Sequence, residues 1–280
     1  MGLRLEVYTT LEQQARHGDI HRTTGEGKKA EQIVQQANVA LLKARYAFLA
    51  QQFPAHFRMV VFGSARLGAD TDEYRFITGL TKEVVLRTGA DIITGGGPGI
   101  MEAALLGAEQ ADREAKQHSR DLNCRRIGVN IRLSCEQTVN PYVQYSSTHE
   151  EFLSRLQEFA DRAHIAYFAP GGIGTATELT LFLQLKQAGY FEPDFKLIAH
   201  PFWRESIEAF RQAMYHDRVE QHKVPFIGEL DLDMVFSDTI PEIVSIVSES
   251  YQKWNETIGS HVVYQEPSRQ QVDFDQAPVF

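Results

Sequence analysis

The chain predicts an α/β fold: a doubly wound, mainly parallel sheet with an added N-terminal helix and a C-terminal helical extension. Three observations carry that expectation. Short apolar runs alternate with amphipathic stretches from residue 57 onward, the pattern of strand–helix units that build a parallel sheet. Several runs are apolar throughout, as strands covered on both faces are. Three of them end in Gly-rich or small-residue turns: "FGSAR" (62–66), "TGGGPGIME" (94–102) and "PGGIGTATE" (170–178).

The elements follow in order. A polar arm precedes "AEQIVQQANVALLKARYAFLA", where Ile33, Ala37, Leu41, Leu42, Ala44 and Phe48 keep helical spacing. "FRMVVFGSA" reads as a buried strand from Phe57, and "DEYRFITGLTKEVVLRTG" as a helix stopped by Gly89. "ADIITGGG" is a second strand. "PGIMEAALLGAEQADREAKQ" is a helix with Pro98 close to its first turn, where the missing N–H costs nothing. "RRIGVNI" is a third strand and "YVQYSS" a fourth. "THEEFLSRLQEFADRA" is a helix with Thr148 and Glu151 as a capping box, burying Phe152, Leu156, Phe159 and Ala163. "HIAYFA" and "FKLIAH" are further strands, and helices are expected around Phe202–Tyr215 and Pro241–Trp254. The expected division is an arm and helix over 1–56, a nucleotide-binding catalytic domain over 57–256, and a tail over 257–280.

Composition narrows the function. The 280 residues carry a net charge of −9, which argues against a general nucleic-acid binder. It leaves a small anion possible, because backbone N–H groups hold phosphate whatever the net charge. Two cysteines, Cys124 and Cys135, build no disulfide framework and suggest reduced thiols. No apolar run approaches the roughly 18 residues of a membrane span, and the N-terminus lacks a signal-peptide core. A cytoplasmic protein without membrane contact is expected.

In open α/β sheets ligands bind beyond the C-terminal strand ends, so the three turns fall on one edge. Glycines such as Gly96, Gly97 and Gly99, and Gly171, Gly172 and Gly174, let a ligand oxygen reach backbone N–H groups. Each run leads into a helix whose N-terminus adds about half a positive charge. Thr175 and Ser64 offer hydroxyls. The plain alternative is that these are tight strand-to-helix turns. GxGxxG is absent from the first turn and no GK[ST] follows the glycines, so a mononucleotide or sugar phosphate fits better than NAD or ATP.

"GGGPGIMEAALLGA" followed by "PGGIGTATE" resembles the Lonely Guy (LOG) family, whose signatures are GGGxxGxM and PGGxGTxxE. "FGSAR" and "IGVNI…EQTVNPYV" resemble its longer bacterial branch. The resemblance runs from about Met59 to His200. It implies a modified Rossmann fold and a homodimer or higher homo-oligomer with active sites near subunit contacts. It also implies hydrolysis of the N-glycosidic bond of nucleoside 5′-monophosphates, with AMP or cytokinin riboside monophosphates as substrates. The family's catalytic pair, an Arg and the Glu of PGGxGTxxE, falls on Arg155 and Glu178. The family's usual Arg-Lys is Arg155-Leu156 here. Its members are often labelled lysine decarboxylases, but no lysine here sits in a setting that suggests a pyridoxal Schiff base. The implied chemistry needs no cofactor and no metal.

Each candidate also has a plainer reading. Thr175 and Glu178 match a capping box, T-x-x-E, in which the carboxylate only returns to a backbone N–H. Arg155 lies at the edge of its helix's apolar stripe, where an arginine usually faces solvent. Ser64 and Arg66 can contact a ligand or merely form a turn, and Glu102 can simply complement its helix dipole. Asn130 and Asn140 can read a base or shape loops. His17 and His21 are four apart with Gly18 between them, a poor metal pair. The rival to a hydrolase is a non-catalytic nucleotide- or cofactor-binding Rossmann-like protein, which has no need of Glu178.

Overall fold

A computed structural model describes residues 56–132, 139–192, 194–228 and 231–259. The helix expected over 28–52, the arm before it, His17, His21, Cys135 and the tail beyond residue 259 lie outside these residues. Seven strands form one sheet: β1 (Arg58–Phe62), β2 (Asp91–Thr94), β3 (Arg126–Ile131), β4 (Tyr145–His149), β5 (Ile165–Phe168), β6 (Lys196–Ala199) and β7 (Val235–Phe236). Their order is β4-β3-β2-β1-β5-β6-β7, and every pairing is parallel. The doubly wound α/β fold is as expected; the two-residue β7 was not, because its apolar run, Met234-Val235-Phe236, is only three residues long.

The helices are α1 (Asp72–Thr88), α2 (Ile100–Gln117), α3 (Phe152–Arg162), α4 (Ile173–Gln187), α5 (Arg204–Arg211), α6 (Asp217–Glu220) and α7 (Ile240–Gly259). A 3₁₀ turn (Pro201–Trp203) leads into α5, and a π turn (Gln212–His216) joins α5 to α6. Alternate residues of β1 divide the core. Met59 and Val61 pack in the layer containing residues of α1, α2 and α7, while Val60 and Phe62 pack in the layer containing residues of α3 and α4. That period-two division, with both faces of β1 buried, is why the strand is apolar from Met59 to Phe62.

Local signals set most boundaries. Thr71 caps α1 by accepting from Tyr74 N, and Gly89 ends it in the left-handed region at φ 66°. Pro98 falls just outside α2, since Gly99 is the N-cap. The capping box at Thr148 does not form. Thr148 is the partner of Asn130 in the β3–β4 ladder, and α3 starts at Phe152 without a side-chain cap. The fourth strand accordingly runs later than "YVQYSS", through His149.

At the sheet edge opposite the glycine turns, buried Asp91 opens β2. Its Oδ2 accepts from Arg125 Nη2 at 2.6 Å and Nε at 3.0 Å, and its Oδ1 from Arg125 N at 2.9 Å. Burial raises the Asp91 carboxyl, but His56 and Arg125 outweigh it and hold the group below its ordinary value. Cys124 is a buried free thiol, pushed up to about 12 mainly by burial. Asp91→Ala leaves the largely buried Arg125 without its carboxylate and is expected to cost about 3 kcal/mol in urea unfolding. A loss under about 1 kcal/mol would show that the pair adds nothing to stability.

Candidate active site

β2, β1 and β5 are neighbours, so the turns that follow them adjoin. The chain passes from β1 and β2 to helices on one face and from β5 to a helix on the other. The order therefore reverses between β1 and β5, where open α/β sheets form a crevice. Backbone hydrogen bonds tie the three turns together: Ser64 N donates to Pro170 O at 3.1 Å, and Ile100 N donates to Ser64 O at 2.9 Å.

The two glycine runs differ. Gly96, Gly97 and Gly99 are buried. Gly96 and Gly99 hold φ at 73° and 71°, and a β-carbon on Gly99 would collide with the Ser64 carbonyl. Asn140 clamps this turn, its Nδ2 donating to Gly96 O at 3.0 Å and Gly97 O at 2.9 Å. Loop-shaping is thus its role. The second run is open. Gly172 and Gly174 are exposed, and a β-carbon on either meets nothing within 4 Å. Gly171 leaves room for Thr175, whose hydroxyl occupies the space of a β-carbon there. Ser64 Oγ accepts from Arg66 N at 3.1 Å, a local turn that leaves the hydroxyl proton free to donate.

The helix after the open run decides the reading of Glu178. Gly172 is the N-cap of α4, with no side-chain cap, so Thr175 lies inside the helix and the capping box does not form. The first-turn N–H groups of α4 therefore lack a capping side chain, whereas Ile100 N of α2 already serves Ser64. Glu102 instead accepts from the Tyr74 hydroxyl at 3.0 Å, tying α2 to α1.

Arg155 is not at a solvated edge. It is 8% exposed, while Phe152, expected inside, is 55% exposed. Arg155 Nε donates to Val129 O at 2.9 Å, its guanidinium carbon lies 5.2 Å from the Phe159 ring centre, and its far end fills the space a β-carbon on Gly95 would take. No sequence signal marks a carbonyl such as that of Val129 as an anchor; the first glycine of the GGG run, Gly95, was the one available hint. Leu156, where the family has lysine, packs in the apolar layer with Phe159 and Phe182.

Arg155 and Glu178 feel each other's charge, yet no ion pair joins them among the described residues. Burial lowers the Arg155 pKa and the Glu178 charge opposes it. Glu178 is half-buried, and desolvation pushes its carboxyl up to about 7 against the pull of Arg155. Among the described residues no group of three or more His, Cys, Asp or Glu is placed to hold a metal ion. No helix among them is long and apolar enough to cross a membrane.

A family described as "Possible lysine decarboxylase" matches residues 101–228. The pyrimidine/purine nucleotide 5′-monophosphate nucleosidase of Escherichia coli (strain K12) is 34% identical over 113 residues, 40% of this chain and 24% of that protein. The match thus spans about a quarter of the length of that curated relative. The molybdenum cofactor binding protein of Rippkaea orientalis superposes with a TM-score of 0.48 at 15% identity, covering 69% of this chain and 96% of that one. The molybdenum cofactor carrier protein of Chlamydomonas reinhardtii gives 0.47 at 17%, covering 70% and 99%.

Two outcomes are expected from this geometry. Gly172→Ala and Gly174→Ala should move the unfolding free energy by less than about 1 kcal/mol, while Gly96→Ala, strained by its φ and crowded by Asn130, should cost about 2 kcal/mol or more. Urea titration of the three variants separates open glycines from packed ones, and equal losses would contradict the distinction. Glu178 should also make stability pH-dependent. A carboxyl raised from 4.5 to about 7 binds more protons folded than unfolded, so stability falls as pH rises through that window. Glu178→Gln should then be more stable than wild type at pH 8 by about 1–3 kcal/mol, and equal to it at pH 4. Identical urea midpoints at pH 8 would show an unstrained carboxylate.

Proposed function

We propose that this chain, which belongs to the Lonely Guy family, hydrolyses the N-glycosidic bond of a nucleoside 5′-monophosphate to free base and ribose 5-phosphate. AMP or a cytokinin riboside monophosphate is the substrate type that the resemblance implies. The observation that carries the reading is a buried arginine, without an ion-pair partner among the described residues, charge-coupled to a carboxyl titrating near neutrality. That carboxyl lies on a helix whose N-terminus no side chain caps. The name of the Escherichia coli relative, a nucleosidase for nucleotide 5′-monophosphates, supports the same class of reaction.

The phosphate binds the first-turn N–H groups of α4, where the dipole favours an anion, with the Thr175 and Ser64 hydroxyls alongside. Glycine at 172 and 174 answers no packing need of the fold, which suits a ligand approaching the bare backbone there. Cleavage of C1′–N leaves positive charge on the ribose, as in other glycoside hydrolyses, and electron density on the departing base. Glu178, as carboxylate, stabilises the first and Arg155 the second. Water then adds its hydroxyl to C1′, and its remaining proton is delivered to the base nitrogen. Glu178, titrating close to neutrality, is suited to carry that proton.

Base release from a panel of nucleoside monophosphates, followed by chromatography, tests the reading. Wild type is expected to release base from at least one, with Glu178→Ala and Arg155→Ala each reducing the rate by about 10²-fold or more while the nucleotide still binds. Tight binding of nucleotide by all three proteins, with no base released by any of them, would make the chain a binding module.

A further inference from the structure

Two asparagines stand beside the first glycine turn, and the protein uses the side-chain donor of only one. Asn140 is committed: Nδ2 donates to Gly96 O at 3.0 Å and Gly97 O at 2.9 Å, and Oδ1 accepts from Tyr142 N at 3.1 Å. Asn130, the penultimate residue of β3, is not. Its Oδ1 fills the space a β-carbon on Gly96 would take, and its Nδ2 is a buried donor with no acceptor among the described residues. The residue as a whole still keeps some exposed surface at the strand-end rim. Buried donors without acceptors are uncommon in folded proteins and call for an explanation. At the edge of a binding crevice, an acceptor brought by the ligand is one.

We propose that Asn130 determines specificity for the leaving base, its carboxamide donating to a ring-nitrogen or carbonyl acceptor of that base; the inference rests on the nucleotide reading above. Placement points to the base over the phosphate. β3 lies three strands from β5 in the sheet, about 14 Å at the usual strand spacing. A nucleotide whose phosphate sits on α4, directly after β5, turns its far end toward β3 when it lies along the strand ends. Arg155 is anchored on that side as well, through the carbonyl of Val129, the residue before Asn130. A neutral N–H donor suits the position. It strengthens as the departing base gains electron density, without burying a second cation beside the guanidinium.

The test uses the full chain carrying Glu178→Gln, so that bound nucleotide is not cleaved, with and without Asn130→Ala or the near-isosteric Asn130→Asp. Calorimetric titrations use AMP, UMP and ribose 5-phosphate, which has no base. Both Asn130 variants are expected to weaken AMP binding roughly tenfold and to change the ratio of AMP to UMP affinity. Ribose 5-phosphate should stay within about twofold. Asn140→Ala is the contrast, expected to lower the urea midpoint and to weaken all three ligands together. If Asn130→Ala does not fold, Asn130→Asp carries the comparison alone. Unchanged AMP affinity in the Asn130 variants, or parallel losses for AMP and ribose 5-phosphate, would overturn the role of Asn130 and leave the nucleotide reading standing. No binding of any of the three by the Glu178→Gln parent would overturn both.

Discussion

The hydrogen bonds from Ser64 N to Pro170 O and from Ile100 N to Ser64 O fix the arrangement on which the rest depends. They join the turns after three adjacent strands into one rim. Because both are backbone bonds, they hold the rim whatever side chains line it. The first glycine run is spent on this junction: Gly99 has no room for a side chain against Ser64, and Asn140 fastens Gly96 and Gly97. The second run is thereby left exposed, in front of a helix terminus that no side chain caps. One glycine turn serves as framework, and the other is left open where the proposed phosphate would sit.

That division bears on how a protein of net charge −9 would hold the proposed phosphate. A helix terminus supplies partial positive charge and oriented N–H groups without adding a cation. Arg155 brings a full positive charge that is withdrawn from solvent and fixed by a carbonyl and an aromatic ring. A buried charge without an ion-pair partner opposes stability, as does a carboxyl held near neutrality by desolvation. Both features lie at the strand-end crevice. A structural ion pair with a fully buried carboxylate, Asp91 with Arg125, lies at the opposite edge, where three hydrogen bonds join the two residues. Stability and strain are thus kept at different ends of the sheet.

The sequence by itself determined the layers, most of the strands and the glycine turns, because apolar periodicity and glycine are local signals read within a few residues. Gly89 marked the end of α1 for the same reason. The resemblance to the Lonely Guy family, carried by the two glycine motifs, also pointed to Arg155 and Glu178. What it could not determine was anything fixed by a neighbour distant in the chain. Thr148 and Glu151 spell a capping box, but pairing with β3 claims Thr148 for a strand. Thr175 and Glu178 spell another, but α4 starts two residues before Thr175, at Ile173. Arg155 reads as a surface residue until Val129 and Gly95, contributed by β3 and the turn after β2, provide it with an anchor and a space. Only the tertiary structure separated packed glycines from open ones and a committed asparagine from an unpaired one, since a residue's burial and hydrogen-bond partners belong to the assembled sheet and not to its own segment.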